Sequence, residues 1–139
     1  MKANRVTLIT LSVADLARAR GFYEALGWQV EHAQDEVAFY DLGGQKLGLY
    51  SRAKLAEDLG RGASDLGTGA MTLAQNFATE AAVDAAYDAA IAAGAGELKR
   101  PEKVFWGGYS GTFADPDEHV WEYAMNPFWT LDEDGRLVP

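Results

Sequence analysis

The chain has 139 residues, 48% of them hydrophobic and 24% charged, which leads us to expect one globular domain with a real core. A formal net charge of −9 argues against partners that reward Lys and Arg, namely nucleic acid and anionic membrane surfaces. The absence of cysteine excludes disulfides, thiolate catalysis and zinc–sulfur sites, and it fits a reducing cytoplasm, the expected location.

Val6 to Val13 reads as a first strand, with Ile9, Leu11 and Val13 on an apolar face and Leu8, Thr10 and Ser12 on a mixed one. Asp15 is placed to cap a helix carrying Leu16, Ala19, Phe22, Tyr23 and Leu26, which Gly27 ends. Trp28 to His32, Val37 to Tyr40 and Lys46 to Tyr50 follow as strands, with Leu42-Gly43-Gly44 as a turn and Ala53 to Leu59 as a short helix. Residues 60–69 hold four glycines and read as a flexible linker.

The second half repeats the first. Met71 to Phe77 is a strand, Thr79 caps an alanine-rich helix that ends at Gly94, and Glu97 to Lys99, Phe105 to Ala114 and His119 to Ala124 supply three more strands. Two successive βαβββ units indicate a duplicated module. We place module one at 5–59, the linker at 60–69, module two at 70–125 and a tail at 126–139.

The stretch WGGYSGTFADPDEHVWEY concentrates the chemistry. Asp115-Pro116-Asp117 is turn composition, and Glu122 stands alone among the apolar residues of the last strand. A half-buried carboxylate costs free energy unless something compensates it. Glu122 is thus a candidate general base or anchor for a cationic group; the plainer reading is a carboxylate satisfied by Lys46, Arg5 or backbone N–H groups. His119 falls on the face opposite Glu122 by alternation, and His32 reads as solvent-facing. Tyr50, Trp106 and Tyr109, with Asn76 and Lys46, are candidate ligand-binding residues, set against ordinary core packing of the aromatics. Neither a phosphate loop nor a dinucleotide fingerprint occurs, and HExxH and GxSxG are absent too.

VTLITLSVADLARARGFYEALGW, VDAAYDAAIAAGA and FADPDEHVWEY together resemble the vicinal oxygen chelate superfamily, which includes glyoxalase I, bleomycin-resistance proteins, fosfomycin-resistance enzymes and extradiol dioxygenases. The resemblance implies an α+β fold in which two tandem βαβββ modules form a curved mixed sheet around a cleft, and it implies a homodimer. It also implies a divalent metal held by residues of both modules. Carried over position by position, those ligands fall on Leu8, Gly48, Thr72 and Glu122, and only Glu122 is a good donor. The expectation is therefore a metal-free aromatic cleft that binds a small molecule. The alternatives are a metal-dependent lyase, isomerase or transferase, and a scaffold with a vestigial cleft.

Overall fold

The structure, a computed structural model, describes residues 3–139. Contacts divide the chain into two compact units, Met1–Gly67 and Thr68–Pro139. Each is a βαβββ unit, as the repeat predicts, and each has its own four-stranded mixed sheet.

The first unit contains β1 (Leu8–Val13), α1 (Leu16–Ala25), β2 (Val30–Gln34), β3 (Val37–Asp41), β4 (Lys46–Ser51) and α2 (Arg52–Leu59). Asp15 caps α1, its carboxylate accepting the Arg18 N–H at 3.1 Å. Gly27 lies at φ 95, a conformation that side chains resist, and it lets the chain turn back from α1. The sheet order is β1-β4-β3-β2, with β1 and β4 parallel and the other pairs antiparallel. Leu11, Val13, Leu47, Leu49, Ala38 and Tyr40 point from one face into a core closed by Phe22 and Tyr23 of α1. The 60–69 stretch contains a 3-10 turn at Ala63–Asp65, and the Arg52 guanidinium donates to the Leu66 carbonyl.

The second unit contains β5 (Thr72–Asn76), α3 (Glu80–Ala92), β6 (Gly96–Lys103), β7 (Tyr109–Ala114) and β8 (Val120–Met125), in the sheet order β5-β8-β7-β6. Thr79 caps α3 by accepting the Ala82 N–H at 3.1 Å. Val83, Tyr87 and Ala90 of α3 are fully buried. Tyr87 meets Phe113 edge-on, and Phe113 in turn meets Tyr123. The odd-numbered positions of β7 and β8 therefore form the helix side of this sheet, and Glu122 belongs to the other side.

Two boundaries differ from the sequence reading by four residues, the others by two at most. The strand expected from Phe105 begins only at Tyr109, because Val104 to Gly108 close a hairpin turn in which Gly107 sits at φ 96. β6 runs on past Lys99 to Lys103 and includes Pro101. A proline is tolerated there because β6 is an edge strand with irregular register on its one paired side. Among the described residues no helix is long and apolar enough to cross a membrane.

Burial holds two phenols far above their ordinary range. Tyr123 is pushed up to about 12 by burial alone, and Tyr40 to about 12 by burial and then by its hydrogen bond to Glu24. A raised folded-state value stabilises fully below the unfolded value near 10 and is lost as pH rises from there through about 12. We predict a fall in stability across that interval, on the order of 2 kcal/mol for each phenol. The check is the melting temperature against pH: Tyr123→Phe should flatten its alkaline limb.

Candidate functional site

β8 is an interior strand, flanked by β5 and β7. Register places Glu122 opposite Ala74 of β5 and opposite Thr112 of β7. The next row on the same face contains Asn76, Ala124 and Ser110. Glu122 is half-buried, and within Thr68–Pro139 no hydrogen bond or ion pair engages its carboxylate. Lys46, one expected partner, is held in the first unit by Glu31.

Trp106 borders the same face. A Cβ built on Gly108 would lie 1.9 Å from the indole Cη2 and 2.1 Å from Cζ3, so the ring occupies the space where a side chain at 108 would stand. By alternation that direction is the one taken by Ser110 and Thr112. Glycine at 108 is what allows the indole to fold back onto this surface. Gly108 precedes Thr112 by four residues, roughly 13 Å along an extended strand. The indole and the carboxylate thus stand at two ends of one row of positions on this face, with Ser110 and Ala124 between them.

The other predicted residues are distributed differently. Asn76 is on the Glu122 face, one row away. Tyr109 is not: it shares the helix side, where its hydroxyl donates to Asp84 of α3 at 2.7 Å, and that carboxylate raises the phenol's pKa. Strand parity thus separates Tyr109 from Glu122. Tyr50 lies in the first unit on the same face of β4 as Lys46 and Gly48, and its hydroxyl donates to Asp58 of α2 at 2.8 Å. Residues 74, 110 and 112 escaped the sequence reading; alternation along β5 and β7 finds them only once the register of each strand against β8 is known. His119 belongs to the turn. Its N–H and that of Asp117 both donate, at 2.9 Å, to the buried Asp115 carboxylate, which makes the DPD segment structural as its composition implies.

The positions that resemblance assigns to a metal can be tested on this geometry. Leu8 and Gly48 share one face of the first sheet, and a Cβ at Gly48 would lie 3.2 Å from Phe39 Cε1 and 3.5 Å from Leu8 Cδ1. Hydrocarbon fills the direction a ligating side chain would take. Thr72 offers a neutral hydroxyl opposite Val120, and Gln75, a possible substitute, projects to the helix side with Tyr123. Among the described residues no three His, Asp or Glu side chains converge as a metal-binding group. This donor set does not fit a divalent ion, which needs several nitrogen or oxygen ligands. A separate depression of about 320 Å³ in the first unit is lined by Leu16, Ala17, Arg20, Ala33, Gln34 and Asp35. It includes none of the predicted residues, and its one cation, Arg20, is paired with Glu24 at 2.8 Å.

With the geometry in place, the likeness to known proteins can be read. The sequence matches the Glyoxalase/Bleomycin resistance protein/Dioxygenase superfamily over residues 5–123. The chain belongs to that superfamily. A glyoxalase-related enzyme from Fulvimarina pelagi is 34% identical, with 97% of each chain covered and a TM-score of 0.89. A glyoxalase/bleomycin resistance protein/dioxygenase family enzyme from Burkholderia phytofirmans shares the fold at 22% identity, with 86% of this chain and 96% of that one covered and a TM-score of 0.77. Lactoylglutathione lyase from Agrobacterium tumefaciens shares it at 18% identity, with 94% of this chain and 100% of that one covered and a TM-score of 0.69. No curated protein matches. For this member of the glyoxalase superfamily, family and fold are thus fixed, while the donor set departs from the metal-binding pattern that the resemblance implies.

Proposed function

We propose that this glyoxalase-superfamily protein binds a small organic molecule on the Glu122 face of its second sheet, and that it does so without a metal. The observation that carries the reading is the unengaged, half-buried carboxylate of Glu122 on an interior strand. Holding a carboxylate partly out of water without a partner costs stability, and a ligand that supplies a donor offsets that cost. Asn76, Ser110 and Thr112 add further hydrogen-bonding groups on the same face, and Trp106 supplies a large apolar surface at its edge. Glu122 is placed to accept from the ligand or to take a proton from it. We place the protein in the cytoplasm as a homodimer, in keeping with the lack of cysteine and with the family resemblance.

A metal-dependent lyase, isomerase or transferase is the second reading. It is favoured by the enzyme name carried by the 34% identical Fulvimarina protein.

The test is a fragment screen followed by amide chemical-shift mapping. Shifts should cluster at Ala74, Ser110, Thr112 and Glu122, and Glu122→Gln should weaken the binding that produces them while changing unfolding free energy by less than about 0.5 kcal/mol. A drop of several kcal/mol in that variant would make Glu122 a structural residue and defeat the proposal.

A further inference from the structure

We infer that the ligand is a small organic cation bearing an aromatic ring, its ammonium or amidinium group at Glu122 and its ring against Trp106. The inference rests on the binding role proposed above and specifies the chemistry of that same face.

Three independent features lead there. The first is charge distribution. Thr68–Pro139 has four Lys and Arg against twelve Asp and Glu, which leaves eight of the chain's nine net negative charges on that unit. Such a field concentrates cations and repels anions.

The second is the disposition of the unit's own cations. Lys99, in the same row as Thr112 and Glu122, is held by Glu102 at 2.8 Å. Arg100 is shared between Asp88 at 3.0 Å and Glu97 at 2.7 Å, and Lys103 faces Glu80 at 3.9 Å. Glu122 forms no ion pair with any of these three, nor with Arg136, the unit's fourth cation. A carboxylate on an interior strand, left without a counter-charge in its own unit while neighbouring cations are matched elsewhere, is set up for an external one.

The third is the indole. Trp106 retains 39% of its surface exposed and is folded over Gly108 on this face. Tryptophan is the best of the aromatic side chains at attracting cations, and it stacks on a ligand ring. Between the two ends, Ser110 and Ala124 carry only small side chains. An anionic ligand would meet both the field and Glu122. A neutral aromatic would gain the indole but leave the carboxylate unmatched.

The experiment compares benzylammonium, benzyl alcohol and benzoate, three probes that share a ring and differ in charge, by calorimetric titration and amide shift mapping on the full chain. Benzylammonium is expected to bind with shifts at Glu122, Thr112 and Gly108, benzyl alcohol about tenfold more weakly, and benzoate not detectably. Raising the salt from low to high concentration should weaken benzylammonium alone. Glu122→Gln should bring the ammonium down to the level of the alcohol, and Trp106→Ala should weaken both. Equal binding of ammonium and alcohol at this face overturns the cationic assignment and leaves the binding role standing. Shifts confined to other surfaces, or no binding by any probe, overturn both.

Discussion

Gly111→Ala is expected to destabilise the protein by about 3 kcal/mol, lowering the melting temperature by roughly 10 °C. Gly111 is buried in β7, opposite Tyr123, where the irregular edge strand β6 passes close. A Cβ there would lie 2.7 Å from the Pro101 nitrogen, 2.8 Å from Pro101 Cδ and 2.9 Å from the Lys99 carbonyl oxygen. These are mainly backbone atoms, so no side-chain rotation relieves the clash and the two strands must separate. Gly21→Ala is the matched control and should have the opposite sign. Gly21 lies in α1, and an added methyl there would meet nothing within 4 Å, so the change should stabilise by about 0.5–1 kcal/mol through helix propensity. Denaturant unfolding of the pair measures both. Equal effects would mean that the approach of β6 to β7 at Pro101 is not as tight as these distances state.

Phe113→Ala should cost more, about 3–5 kcal/mol. Phe113 is 1% exposed and lies between Tyr87, at 6.1 Å between ring centroids, and Tyr123, at 4.9 Å. Both neighbours are held: the Tyr87 hydroxyl donates to the Thr112 carbonyl at 2.9 Å, and Tyr123 is also packed by Phe77. The surroundings therefore cannot collapse easily into the space that truncation leaves. Phe105→Ala removes the same side chain from the β6–β7 turn, where it is entirely exposed, and should change stability by less than about 0.5 kcal/mol. The contrast is read from denaturant midpoints. A loss under about 1 kcal/mol at Phe113 would show that the α3 core is loosely packed.

The residues that announced the fold are those whose chemistry is local. Asp15 and Thr79 cap their helices, Gly27 ends the first, and Asp115 ties its own turn, because each interaction spans only a few residues. Strand pairing is nonlocal, and it is there that the sequence reading lost resolution. Tyr109 and Thr112 both read as members of one long strand from Phe105. Their parity puts them on opposite faces, but only the β7–β8 register fixes that Thr112 accompanies Glu122 while Tyr109 turns toward Asp84. Glu122 could be singled out because a carboxylate among Val120, Trp121, Tyr123 and Ala124 is chemically conspicuous. That it lacks a partner in its own unit depends on where Lys99, Arg100 and Lys103 find theirs, which no local pattern encodes. Gly48 is the converse case. Its position was evident by resemblance, but its packing under Phe39 is a property of the β3–β4 register.

Metal content of the protein, purified without chelators and dialysed, tests the central claim most directly. On the proposal that Glu122 meets an organic ligand without a metal, elemental analysis should find zinc, nickel, manganese, iron and cobalt each far below one per chain. One equivalent of any of them surviving dialysis, and lost in Glu122→Gln, would contradict that account and make Glu122 a metal ligand.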